Sequence, residues 1–193
     1  MRIWTIGHST RTIDEFISLL KKNEIKLLAD VRTWPGSKRY PQFNKEGLAE
    51  SLNAHAIRYE HLPELGGRRK ANPDSRNTAW RNASFRGYAD YMETADFQKG
   101  VKRLLDLAIG TQGADPKVFG AESKDDGREA VNPLRTAIMC AESVWWRCHR
   151  SLIADYLKSS EVEVLHILGA NKVEPHPYTP AARIVDGKLS YEV

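Results

Sequence analysis

The chain has 193 residues, of which 41% are hydrophobic and 28% charged, and its net charge is +4. That composition excludes a wholly disordered chain, and no apolar run approaches the ~20 residues of a membrane span. Two cysteines are too few for a disulfide framework. With no apolar leader before the first strand pattern, the expectation is a cytoplasmic protein with reduced thiols, not bound to a membrane and built as one domain over residues 1–193.

Arg2 to Ile6 has the apolar content of a strand and runs into Gly7-His8-Ser9-Thr10. Thr12 and Glu15 have capping-box spacing, and Ile13, Phe16, Ile17 and Leu20 repeat at helical intervals behind them. Lys26 to Val31 predicts a second strand, apolar enough to be covered on both faces. Asn44 can cap a weaker helix through Leu48 and Leu52, and Ile57 to Leu62 predicts a third strand. Thr94 caps a stronger helix with Phe97, Val101, Leu104, Leu105 and Ala108 inward, ended by Gly110. From about 110 to 133 the chain is polar and aperiodic, a long loop or insertion. Arg135 to Cys140 predicts the fourth strand, Val144 to Leu157 a helix, and Glu161 to Leu168 the fifth strand. Asp186-Gly187 between "ARIV" and "KLSYEV" predicts a C-terminal hairpin.

Strands alternating with helices imply an α/β fold, a Rossmann-like layered arrangement with a mostly parallel sheet of about five strands. Ligands in such sheets sit beyond the carboxyl ends of the strands. Three polar endings qualify: Gly7 to Thr10, Asp30-Val31-Arg32, and Cys140-Ala141-Glu142. At the first, backbone N–H groups with the Ser9 and Thr10 hydroxyls can hold an anion at a helix start; the alternative is an ordinary capped turn. Asp30 can orient a histidine or accept a proton, or it can bridge to Arg32. Cys140 stands before a helix, where a dipole can lower a thiol pKa and make a nucleophile, but six residues separate it from Arg147 where thiol phosphatases have five. Glu142 is the best-placed acid–base group, with His8 and His149 as proton carriers. Cys148 shares a face with Leu152 and Tyr156 and reads as packed rather than reactive. A metal set of His8, Asp30, Cys140 and His149 lacks any recognised zinc spacing, and neither a Walker A nor a GxGxxG pattern occurs. No metal and no cofactor are therefore expected.

Positive charge gathers in two stretches. Arg32 to Phe43 mixes Arg32, Lys38 and Arg39 with Trp34, Tyr40 and Phe43. Gly66 to Met92 sets Arg68, Arg69, Lys70, Arg76, Arg81 and Arg86 against Asp74 and Asp90, with Trp80, Phe85, Tyr88 and Tyr91 between them. Cations interleaved with aromatics suit phosphate contact and base stacking, or a solvated basic face over packed rings.

"TIGHST", "DVRTWPGSKRYPQFN", "LPELGGRRK", "FRGYADYM" and "MCAES" followed by "CHR" together resemble the family called domain of unknown function 488, from Arg2 to about Leu168. The resemblance implies an α/β domain whose motif residues here are His8, Ser9, Asp30, Arg32, Glu142, Cys148, His149 and Arg150. It implies no reaction. The expectation is an enzyme on a phosphate-bearing substrate, a nucleotide or nucleic acid, and hydrolysis is the reaction type that carboxylates beside cations fit. Glu142, Asp30, His8 and His149 would be catalytic, and Ser9, Thr10, Arg32, Arg150, Arg68 and Arg69 would bind substrate. The alternatives are a non-catalytic nucleic-acid-binding module, a thiol-dependent phosphatase or sulfur transferase using Cys140, and a structural scaffold.

Overall fold

Six strands form one sheet in the order β3-β2-β4-β1-β5-β6, seen in a computed structural model that describes residues 1–110 and 133–193. The strands are β1 (Arg2–Gly7), β2 (Leu27–Asp30), β3 (Arg58–His61), β4 (Thr136–Cys140), β5 (Glu163–Gly169) and β6 (Lys172–Pro175). The first five run parallel, and β6 turns back antiparallel along the β5 edge. This edge strand was not expected. The expected hairpin is present as a separate pair, β7 (Arg183–Val185) and β8 (Lys188–Ser190), with Asp186 and Gly187 both at positive φ in its turn. The sequence-predicted loop over about 110–133 lies outside the described residues apart from its ends.

Side-chain alternation along the strands divides the core in two. Trp4, Ile6, Leu28, Ala137 and Met139 face α1 (Ile13–Lys22) and α2 (Lys45–Asn53), whose Phe16, Leu20, Leu48 and Leu52 are fully buried there. Ile3, Leu27, Ala29, Ile138 and Val164 face the other layer, α3 (Ala83–Met92), α4 (Ala95–Ile109) and α5 (Arg150–Ser159). The expected caps are in place. The Thr12 hydroxyl accepts from Glu15 N at 3.2 Å while the Glu15 carboxylate accepts from Thr12 N at 2.8 Å. Thr94 caps α4, and Gly110 ends it at φ 81°. Asn44 heads α2, but its side chain accepts from Ser37 N at 2.6 Å instead of capping the helix. No described helix is long and apolar enough to cross a membrane.

One boundary differs in a way that matters for function. The helix expected from Val144 begins only at Arg150. Trp145 to Arg147 make a single 3₁₀ turn, and Cys148 is extended at φ −133°, ψ 147°. Val-Trp-Trp has weak helix propensity, and the Trp145 ring is drawn aside to stack on His166, with centroids 4.3 Å apart. Cys148 and His149 therefore stand at the mouth of α5 rather than along it.

Candidate functional site

The sheet order makes β2, β4 and β1 neighbours, so the three polar strand ends meet at one carboxyl edge. Parallel pairing continues past the strands: His8 N donates to Cys140 O at 3.0 Å, Ser9 N to Ala141 O at 2.9 Å, and Val31 N to Met139 O at 3.0 Å. These bonds spend the His8 and Ser9 amides, two of the backbone donors that an anion cradle at residues 7–10 would use, and the capping box engages the Thr12 and Glu15 amides behind them. The expected backbone cradle is thus reduced by two amides, while Ser9 and Thr10 remain at the cleft. Gly7 is required here, because a Cβ would run into the Glu142 carbonyl oxygen.

Above this edge opens a cleft of about 560 Å³. Its walls come from His8, Ser9 and Thr10 after β1; Arg32, Thr33 and Trp34 after β2; Gly67 and Arg68 after β3; and Cys140, Ala141, Glu142 and His149 after β4. Trp34 stands 78% exposed at the rim, with Tyr40 nearby. Arg68, exposed and at φ 61°, supplies a cation.

Asp30 is corrected from catalyst to anchor. Fully buried, it does not line the cleft. Its carboxylate accepts from Arg32 Nε at 2.9 Å and Nη2 at 2.5 Å, from Arg32 N at 3.0 Å, and from the Tyr59 hydroxyl at 2.8 Å. Burial opposes the Arg32 charge, but the bonds to Asp30 outweigh it and raise its pKa. Arg32 also donates to Phe43 O at 2.8 Å and to His8 Nε2 at 3.3 Å. Of five guanidinium N–H groups, one remains for a ligand. His8 stacks on Phe43 and donates from Nδ1 to Ser9 O at 3.0 Å, so Nε2 is its acceptor. Burial and the Arg32 charge push its pKa down to about 4. His8 is a neutral wall of the cleft, not an acid near neutral pH.

Across from it, Cys140, Cys148 and His149 bring two sulfurs and a ring nitrogen within 4.8 Å of one another. His149 Nε2 donates to Val31 O at 3.0 Å, which leaves Nδ1 facing Cys148 Sγ at 3.5 Å. The Cys140 thiol is pushed well up by its hydrogen bond to Cys148 and by burial, so Cys140, weighed as an alternative nucleophile, is a poor one. Cys148 is the more acidic of the two, because Cys140 donates to it and His149 and Arg150 lie beside it. Of the metal set weighed from sequence, Cys140 and His149 come together. His8 and Asp30 are tied to Arg32, and Cys148 stands in the third place.

Two further residues need correction. Arg150 is 1% exposed and lies beneath the cleft floor, where it donates to the Glu142 carbonyl and, at 3.5 Å, to Thr5 Oγ1. It fixes the Glu142 loop instead of holding substrate. Arg69 lies over the Tyr91 ring at 3.6 Å and does not line the cleft. The basic 66–92 stretch resolves the same way: Tyr88 is buried, Trp80 and Phe85 pack on the core, and Arg76 pairs with Glu192.

Sequence reasoning missed a buried relay behind Arg150. Asp155 accepts from His176 Nε2 at 2.9 Å, His176 Nδ1 from His166 Nε2 at 2.9 Å, and His166 Nδ1 from the Thr5 hydroxyl at 2.7 Å. Because Asp155 can only accept, each donor in the chain points toward it. The polar letter of His166 inside the apolar run Val164 to Leu168 was the available signal; His176, between two prolines, offered none.

The fold and site define a class: a parallel α/β protein with a mixed cationic, thiol and carboxylate cleft at its topological edge. Within that class the chain belongs to the family described as domain of unknown function DUF488, whose model matches residues 12–114 and 120–157. No curated protein and no solved structure matches it.

Proposed function

We propose that this protein is an enzyme acting on a phosphate-bearing substrate, a nucleotide or a short nucleic-acid segment, in the cleft at the carboxyl edge of the sheet. The observation that carries the reading is the company of exposed Trp34, Arg68 and Glu142 around one cleft. Trp34 offers a stacking face. Arg68 and the spare N–H of Arg32 take phosphate oxygens. Glu142 supplies the acid–base carboxylate, held in place because Arg150 grips its carbonyl and Gly7 admits that carbonyl to close range. The Ser143 amide donates to its Oε1 at 3.0 Å.

Fluorescence anisotropy with short labelled single-stranded RNA and DNA, and competition by mononucleotides, tests the reading. Arg68→Ala and Trp34→Ala each weaken binding by about tenfold, the loss of one phosphate contact or one stacked base. Glu142→Gln leaves binding in place and abolishes turnover of the bound substrate. Binding with no Glu142-dependent turnover would make the protein a non-catalytic binding module. Absence of binding even at low salt, or indifference to both cleft substitutions, would overturn the proposal.

A further inference from the structure

Cys140, Cys148 and His149 are drawn together by the fold and not by a motif. Cys140 ends β4, and Cys148 and His149 stand in the non-helical turn before α5. Their ligand atoms lie within 4.8 Å of one another, and Cys148 Sγ to His149 Nδ1 is 3.5 Å. With Zn–S near 2.3 Å and Zn–N near 2.0–2.1 Å, a tetrahedral ion sets its sulfur and nitrogen ligands about 3.6 Å apart. The spacing is already that of a ligand edge.

Two other observations point the same way. His149 donates its outer nitrogen, Nε2, to the Val31 carbonyl at 3.0 Å. That bond fixes the tautomer with the lone pair on Nδ1, the arrangement that orients a metal-ligating histidine. Gly67 clears the space in front of this lone pair, since a Cβ there would stand 2.8 Å from Nδ1. Arg150, buried beside the thiols, makes no ion pair with a carboxylate among the described residues, so its charge is available to two thiolates.

We propose that Cys140, Cys148 and His149 form a zinc site with its fourth position open to the cleft. Cys140 and His149 both line that cleft, so an ion held between them faces it. Two thiolates and an imidazole suit a borderline-soft divalent ion, and three protein ligands with one open position are the pattern of reactive rather than structural zinc. The ion would bind water or a ligand anion a short way from Glu142. The site does not depend on which substrate the cleft takes.

The test is metal binding to the full chain. Protein purified without chelator is assayed for zinc, then stripped under reducing conditions and titrated with Co²⁺. The expected result is one metal per chain, with visible bands of tetrahedral cobalt and a near-ultraviolet thiolate-to-cobalt charge-transfer band that added Zn²⁺ abolishes. Zinc should also raise the unfolding temperature of the stripped protein. Cys148 is buried and its replacement can unfold the chain, so the decisive variant is His149→Gln at the cleft wall, checked for folding by circular dichroism. It should lose stoichiometric cobalt, whereas Glu142→Gln should keep it. Failure of the wild-type chain to bind stoichiometric cobalt, a cobalt spectrum without the thiolate band, or undiminished binding by folded His149→Gln would each overturn the proposal. Loss of nucleotide binding in Arg68→Ala leaves these readouts untouched.

Discussion

Asp30 and Glu142 are both carboxylates at the ends of neighbouring strands, and their surroundings give them different tasks. Glu142 is exposed at the cleft, whereas Asp30 is fully buried with four donors on its oxygens, three from Arg32 and one from Tyr59. Removing one partner of a buried ion pair strands the other charge, at a cost of about 3–5 kcal/mol. Asp30→Asn should therefore lower the urea-unfolding free energy by about that amount, while Tyr59→Phe, which deletes one neutral donor, should cost about 1 kcal/mol. Equal and small losses would mean that Asp30 is not the anchor of Arg32. The sequence places Asp30 and Arg32 two residues apart at a strand end and leaves both a catalytic role and a salt bridge open. Phe43 and Tyr59, which arrive from other elements, decide between them, and no local pattern announces their arrival.

At the scale of elements, the strands and the capped helices were legible because each rests on local chemistry: apolar runs, a capping box at Thr12, a glycine stop at 110. The start of α5 was not, because Trp145 answers to His166 on β5 and not to its own chain neighbours. The relay it covers was illegible for the same reason, since Thr5, His166, His176 and Asp155 lie on four separated segments. Its effect on stability can be read with pH. Burial, with the neighbouring His176 and Arg150, lowers the His166 pKa to about 3, and His8 lies at about 4, against 6.5 unfolded. The unfolded chain therefore takes up protons first. The stability that these neutral rings contribute is fully present above pH 6.5 and is lost as pH falls from there toward 4 and 3. Each histidine adds a slope of up to about 1.4 kcal/mol per pH unit. Urea midpoints between pH 7 and 4.5 should fall less steeply in His166→Gln than in wild type, whatever the variant's stability at pH 7. An unchanged slope would show that His166 is already protonated in the fold.

For the whole molecule, the sequence could say that strand ends would be polar and could not say which strands adjoin. Order is fixed by long-range pairing, with β4 inserted between β2 and β1, and that insertion alone turns three separate endings into one cleft. The basic 66–92 stretch shows the converse. Its rings serve the core, and Arg69 and Arg76 are engaged by Tyr91 and Glu192. The charge it carries is thus a poor guide to where a phosphate group would bind. The salt dependence of binding separates a cleft ligand from a strand laid along the basic face. Each phosphate contact on a single strand contributes about −0.7 to the slope of log K against log salt. Arg68 and the spare Arg32 N–H provide two such contacts, so the proposed cleft complex should show a slope of about −1.4. Arg68→Ala should bring it to about −0.7. A slope steeper than about −3 that survives Arg68→Ala would place the phosphates on the 66–92 face, and the ligand would then be a long strand gripped by the surface rather than a nucleotide held between Trp34 and Glu142.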